Sequence, residues 1–335
     1  MTPILKWPGG KRRMARLIDD AFGREPIQGY CEPFAGGLAV FCHLVQTGRL
    51  TGLHRAPRLS DACGSLMVTY AALQAHPARV REQLTRITRH HTTDRAWTRD
   101  YYTLRKRFNA YRTMVLKPVA AGQSRVIPIT DASCKHAAEM LWVNKACFNG
   151  LWRTNRSGQF NASAGSYQRV KMDLSAITAF AGALHAHQAE LMWSDWRRPL
   201  SLARQGDCAF IDSPYLPLDD ARSNFTSYSA LRPWGVDEHR ELAYACAQAA
   251  SRGVRVVLTN HDCTATHETY PESVGWRVFA RPTLTRSISQ SSARMRATEV
   301  VLTLDPNDVR VPEAPNTQLS LVGDAPKTLE QLYGN

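Results

Sequence analysis

Several patterns are missing from this 335-residue chain, and each absence removes a class of function. No apolar run approaches the ~18 residues that a membrane span needs. Residues 1–14 are basic but lack the apolar h-region of a secretory signal. The eight cysteines (31, 42, 63, 134, 147, 208, 246, 263) contain no CxxC pair, which argues against a zinc site and against a disulfide framework. Reduced, mostly buried thiols in a cytoplasm are expected. Gly9-Gly10-Lys11 invites a phosphate-loop reading, but GxxxxGK(S/T) is absent and Arg12 follows the lysine. There is no GxGxxG, no GxSxG elbow to complete a triad around His261-Asp262, and no internal repeat. The His-Asp pair is therefore given a structural or substrate-orienting role.

What is present is a globular composition with a strong positive bias. Apolar residues make up 44%, enough for an ample core in one large or two modest domains. The net charge is +13, and it is concentrated. Residues 79–125 hold twelve Lys/Arg against three acids, a local +9, with Trp97, Tyr101, Tyr102, Phe108 and Tyr111 interleaved. A solvated helix surface is one reading; a surface for a phosphate backbone is favoured.

The elements alternate as in an α/β protein, with one interruption. Tyr30-Cys31-Glu32 reads as a short strand, Pro33 to Gly37 as a glycine turn, and Leu38 to Phe41 as the start of an apolar helix. Such a turn after a first strand lets a nucleoside-type cofactor lie against bare backbone. Asp61, at the end of a second short strand, can accept both ribose hydroxyls; it can equally cap the following helix. Residues 64–117 read as helices, 118–128 as a loop, and 134–147 as a helix capped by Thr130 or Asp131. Residues 148–161 have the Asn-Gly and Ser-Gly signals of a hairpin, and Arg153 and Asn155 have the chemistry to read guanine and adenine edges. A helix over 173–187, a strand ending at Asp195-Trp196 and the apolar run Cys208 to Ile211 return the chain to the sheet. That run ends in Asp212-Ser213-Pro214-Tyr215: an acid, a proline-fixed turn and an aromatic at a strand end, where open α/β sheets place their chemistry. A long loop over 217–235, a helix capped by Asp237, a strand over 254–259 and a final pair over 274–281 and 297–304 complete the expected fold. Arg281 to Arg296 is a Ser/Arg-rich loop suited to phosphates, and 305–335 a loosely held tail.

Four stretches stand in order: Lys6-Trp7-Pro8-Gly9-Gly10-Lys11, Glu32-Pro33-Phe34-Ala35-Gly36-Gly37, Ser60-Asp61 and Asp212-Ser213-Pro214-Tyr215. Together they resemble the hallmarks of the Dam-type (D12 class, α group) DNA adenine-N6 methyltransferases: KW-x-GGK, a PFxG cofactor loop and DPPY. Residues 148–161 are similar to the family's DNA-reading hairpin, and Arg286-Ser287-Ile288-Ser289 to a segment near its C-terminus.

The resemblance implies a Rossmann-like α/β S-adenosylmethionine-dependent methyltransferase sheet with an inserted helical target-recognition domain. The catalytic domain would span 1–63 and 162–304, the insert 64–161, and a tail 305–335. It further implies methyl transfer from S-adenosylmethionine to the N6 amine of an adenine flipped out of double-stranded DNA, without a metal. By matching position, Trp7, Lys11, Phe34, Ala35, Gly36, Asp61, Asp195, Trp196 and Asp212 would hold the cofactor. Asp212, Ser213, Pro214 and Tyr215 would form the methyl-transfer turn. Lys6, Phe148, Asn149, Leu151, Arg153 and Asn155 would meet DNA. A bacterial or phage cytoplasmic protein, acting on the nucleoid as monomer or homodimer, fits this family.

The departures are Ser213 for the usual proline, Gly37-Leu38-Ala39 for a commoner glycine-serine ending, Ser163 for a hairpin proline, and Trp152 and Thr154. Ser213 loosens the turn but keeps its carbonyl, so activity is expected to survive; Gly37-Leu38-Ala39 could alter the fit of the cofactor loop; Ser163, Trp152 and Thr154 put a GATC target in doubt. Cytosine-N4 methylation and a DNA-binding relic without catalysis are the alternatives.

Overall fold

The short apolar runs of the sequence assemble into one twisted sheet. In the computed structural model, residues 1–90, 97–117, 119–155, 157–166, 170–218, 234–285 and 296–314 are described. Among them nine strands form: β1 (Gly29–Glu32), β2 (Arg58–Asp61), β3 (Ser124–Arg125), β4 (Glu190–Ser194), β5 (Asp207–Ile211), β6 (Arg255–His261), β7 (Trp276–Ala280), β8 (Thr283–Thr285) and β9 (Arg296–Leu304). The path is β3-β4-β2-β1-β5-β6-β9-β7, with β8 on β9. The central strands β4-β2-β1-β5-β6 are parallel, and the outer pairings are antiparallel. The chain steps outward from β1 to β2 and β4, then crosses to the other side at β5. The switch point of the topology is therefore the crevice beyond the carboxyl ends of β1 and β5.

Side-chain alternation divides the core in two. Tyr30 and Phe210 join one apolar cluster, with α1 (Ala15–Ala21), α2 (Ala39–Gln46) and α7 (Leu174–Ala186). Cys31, Ala209 and Ile211 join the other, with α8 (Arg197–Ser201) and α9 (Val236–Ser251). Strands β1 and β5 are buried at every residue, as a parallel sheet covered on both faces requires.

The helical block comprises α3 (Gly64–Ala75), α4 (Pro77–His90), α5 (Trp97–Val115) and α6 (Asp131–Ala146). Helix α3 is buried from Gly64 to Leu73 because it lies between the sheet and the rest of the block. One core cluster runs unbroken from β1 through α3 to α6. Thr130 caps α6: its Oγ1 accepts from Ser133 N at 3.2 Å, and Ser133 Oγ accepts from Thr130 N at 2.6 Å.

Four local expectations change. The 118–128 loop contains β3, which pairs with β4 and extends the sheet by an edge strand. The 148–161 hairpin has no regular ladder: it is pinned by single bridges, Cys147 to Ala164 and Thr154 to Phe160, and opens with a 3-10 turn, Phe148–Gly150. Gly235, not Asp237, is the N-cap of α9, and Glu238 Oε2 accepts its N–H at 2.9 Å. The first part of the tail is held: Val309 packs on the second cluster and Arg310 N donates to Val274 O at 2.8 Å. Residues 219–233 of the expected loop, Arg286 to Ser289 and residues 315–335 lie outside the described residues. All eight cysteines are free thiols, seven of them buried, and no helix of the described residues is long and apolar enough to cross a membrane.

Candidate active site

The predicted pocket residues converge at the carboxyl ends of β1, β2, β4, β5 and β6. Asp212 follows β5 directly. Its Oδ1 takes Lys11 Nζ at 2.8 Å and Thr259 Oγ1, from β6, at 2.9 Å. Among the described residues no hydrogen bond is made to Oδ2. Burial raises the Asp212 carboxyl above the ordinary range, while Lys11 and the Thr259 hydroxyl pull it back. Lys11 is itself buried, donates to the Gly9 carbonyl, and stands 4.9 Å from the Tyr215 ring centroid. The Tyr215 hydroxyl donates to Glu299 Oε2 at 2.8 Å, which fixes the ring beside Asp212.

The cofactor loop after β1 is shaped by Asp61. Asp61 Oδ2 accepts from Gly36 N at 3.0 Å, and Oδ1 from Cys63 N at 2.8 Å. Asp61 therefore does not cap α3, whose N-cap is Cys63 and has no side-chain cap bond; it braces the turn before the helix, and each of its oxygens keeps a free lone pair. Burial raises this carboxyl, and the two amides lower it. Gly36 has φ +45°, and a Cβ there would stand 2.8 Å from Trp7 Cδ1. Bare backbone is required at that point. Ala35 N donates to Ser60 O at 2.7 Å, tying the loop to β2. Phe34 and Trp196 lie near-parallel with centroids 6.4 Å apart.

Asp195 is engaged differently. Its Oδ1 accepts from Gly122 N and Arg197 N, and both oxygens meet Arg197 Nη1 at 3.0 Å. It fastens the insert to the sheet, while its neighbour Trp196 faces Phe34.

The hairpin residues form a second group, joined to the first through the N-terminal segment. Asn144 on α6 clamps Lys6 by both backbone groups, at 2.9 and 2.8 Å. Gly150, at φ +67°, has no room for a Cβ because the Lys6 side chain lies on it. Trp152 stacks on Trp7 at 5.2 Å and 23°. Phe148 is partly exposed, and Asn149 adopts φ +53°. Arg153 is exposed and donates to Asn161 Oδ1 at 2.8 Å. Asn155 Oδ1 accepts from Gln159 N at 2.9 Å and closes the turn.

The basic block is less of a free surface than its composition suggests. Arg105, Asn109 and Arg112 share one face of α5 and donate to the carbonyls of Ala162, Phe160 and Gly158 (at 2.7, 2.9 and 2.5 Å), holding the hairpin. Arg107 pairs with Glu139, Arg79 with Asp131 and Arg86 with Glu82. Asp262 pairs with His267 at 2.7 Å and Arg281 at 3.1 Å. The neighbouring His261 instead meets Leu216 O at 2.5 Å, so the two do not form half a triad.

Sequence reasoning missed Thr259, Glu299, Asn144, Trp234, His239 and the buried Glu32. Each sits in an ordinary strand, helix or loop pattern; only Glu32 belonged to a quoted motif, and it was given no role there. Among the described residues no group of His, Cys, Asp or Glu is placed to hold a metal.

Known proteins resemble this chain in sequence over most of its length. The family model for D12 class N6 adenine-specific DNA methyltransferases matches residues 7–282. The chain is 27% identical over 305 residues to the type II methyltransferase M1.LlaDCHI of Lactococcus lactis subsp. cremoris, covering 90% of this chain and 95% of that one. It is 32% identical over 293 residues to the DNA N-6-adenine-methyltransferase of Escherichia phage P1, covering 85% of this chain but 33% of that larger protein. Identity to the DNA adenine methylase of Serratia marcescens is 27% over 289 residues, 85% and 93% of the two chains.

Proposed function

The chain belongs to the D12 class of N6 adenine-specific DNA methyltransferases, and we propose that Asp212 to Tyr215 form its methyl-transfer turn, acting on an adenine extruded from the duplex. The family uses S-adenosylmethionine on double-stranded DNA. The single observation that carries the assignment is the Asp212 carboxylate, directly after β5: one oxygen is anchored by Lys11 and Thr259, and the other accepts no hydrogen bond among the described residues.

The residues present fit the cofactor. Gly36 offers backbone without a side chain, Asp61 has lone pairs for a ribose diol, and Phe34, packed on Trp196, puts an aromatic ring beside the loop. Trp7 and Lys11 wall the same pocket. Asp195 acts through the scaffold. When bound, S-adenosylmethionine supplies an electrophilic methyl group on a sulfonium centre.

The protein's own part is to make a poor nucleophile competent. The adenine amine lone pair is delocalised into the ring. Asp212 Oδ2 accepts one N–H and the Ser213 carbonyl the other, which draws the nitrogen toward tetrahedral and localises the lone pair. Asp212 then takes the proton that the methylated nitrogen loses, and its raised carboxyl suits that role. Alignment supplies much of the acceleration. Tyr215, steadied by Glu299, stacks the base that cannot be reached inside a duplex. Serine at position 213 keeps the carbonyl, so this role survives the loss of proline. Lys6, Phe148, Asn149, Leu151, Arg153 and Asn155 approach the duplex, with Arg153 reading a base edge. No metal takes part in this scheme.

The test is methylation of plasmid DNA by the pure protein with S-adenosylmethionine, read by sequencing that reports modified bases. Modified adenine at a defined site is expected, with its loss in Asp212→Ala. An Asp212→Ala protein that methylates as well as wild type would refute the assignment.

A further inference from the structure

Behind the methyl-transfer turn lies a buried histidine that the chemistry above does not use. His239 sits one turn into α9 and is fully buried. Its Nε2 is 2.8 Å from the Pro214 carbonyl oxygen and 2.9 Å from Trp234 Nε1, and its Nδ1 is 2.8 Å from the Tyr270 hydroxyl. Burial keeps the ring neutral, with its pKa pushed down to about 4, so it carries a single N–H.

The three partners cannot all be satisfied at once. A carbonyl only accepts, an indole N–H only donates, and a tyrosine hydroxyl does either. With the proton on Nε2, the ring donates to Pro214 and accepts from Tyr270 at Nδ1. With the proton on Nδ1, it donates to Tyr270, accepts from the Trp234 indole, and leaves the Pro214 carbonyl without this donor. The choice matters because Pro214 directly follows Ser213, whose carbonyl is to hold the substrate amine. Ser213 has no ring to fix its backbone, and its buried hydroxyl has no partner among the described residues. The turn is therefore held from outside. Trp234 also touches the cofactor loop, lying edge-on to Phe34 at 5.5 Å.

We propose that His239 is a positioning residue for methyl transfer: its Nε2–H holds the Pro214 carbonyl and thereby the Ser213 peptide, and the other tautomer, which takes the Trp234 indole N–H instead, releases it. This rests on the reading of residues 212–215 as the methyl-transfer turn.

Two variants of the full-length protein separate the two sides of the ring. His239→Gln carries an amide N–H near the Nε2 position and keeps a donor for Pro214. His239→Asn carries it near Nδ1, keeps a partner for Tyr270 and loses Pro214. The measurements are kcat and KM on plasmid DNA, S-adenosylmethionine affinity by calorimetry and the melting temperature, with wild type in parallel. His239→Asn should lose kcat by about 10- to 100-fold, as a small misplacement of a reacting group does, with cofactor affinity and melting temperature close to wild type. His239→Gln should recover most of kcat. Two variants equal to each other, whether both active or both slow and unstable, would overturn the proposal, since a packing role does not distinguish them. A wild-type protein that transfers no methyl group would overturn the methyl-transfer reading itself, and this inference with it.

Discussion

Lys11 Nζ lies 2.8 Å from Asp212 Oδ1, joining the first glycine turn of the chain to a strand end two hundred residues later. The lysine end is almost dry and the carboxylate end partly exposed: the Lys11 side chain is 4% exposed and that of Asp212 20%. Lysine at this position is thus the counter-charge that lets an enclosed carboxylate stay ionised.

Removing that counter-charge has a defined sign. In Lys11→Met, burial acts on Asp212 unopposed by an ammonium, so its pKa rises further. The working form is the carboxylate, so the acid limb of the kcat profile moves to higher pH. Above that pKa the fold loses about 3 kcal/mol, the low end for breaking a buried pair because Asp212 is partly exposed. Below it, where Asp212 is protonated, the loss shrinks. Urea titrations at several pH values check the second point. An unmoved acid limb would contradict the pairing.

Glu32 makes a second pH prediction. It is buried beneath the cofactor loop, accepts from the Tyr30 hydroxyl at 2.9 Å, and has its pKa pushed up to about 8 by burial. An unfolded Glu titrates near ~4.3, so the folded state holds the extra proton between the two values. Its contribution to stability is fully present below the unfolded pKa and is lost as pH rises toward about 8. Glu32→Gln should flatten that decline in melting temperature and leave cofactor affinity within a few-fold. A slope unchanged by the substitution would show that Glu32 is ionised in the fold.

Gly36→Ala tests the close approach at the cofactor loop. An alanine must accept φ +45° and place its Cβ 2.8 Å from Trp7. The left-handed strain alone is about 1–2 kcal/mol, and the shifted indole also leaves its stack on Trp152. S-adenosylmethionine affinity should fall at least about tenfold, which corresponds to 1.4 kcal/mol. Far-UV dichroism should show the fold retained. Wild-type affinity would remove Trp7 and Gly36 from the pocket.

Arg153→Lys separates base reading from charge. The lysine keeps a cation for phosphates but lacks the planar fork that can bond two acceptors of one base and that meets Asn161 here. Preference for the target site over near-matches should drop by about 1–3 kcal/mol, with cofactor affinity unchanged and overall DNA affinity little altered. Undiminished preference would assign base reading to another residue.

The sequence by itself determined the family motifs and most of the secondary structure. Trp7, Lys11, Asp61 and Asp212 stood in stretches that resemble the family's motifs, and the strands and turns around them could be placed because short apolar runs and glycine turns are local signals. What only the tertiary structure decided was how those residues are held. Asn144 clamps Lys6 across 138 positions of sequence, and Thr259 and Glu299 brace Asp212 and Tyr215 from β6 and β9. Arg105, Asn109 and Arg112 turn inward to the hairpin although their charge pattern suggested open surface. Such partners leave no local pattern: a hydrogen bond between residues far apart in sequence depends on sheet order and helix rotation, which composition and periodicity do not encode.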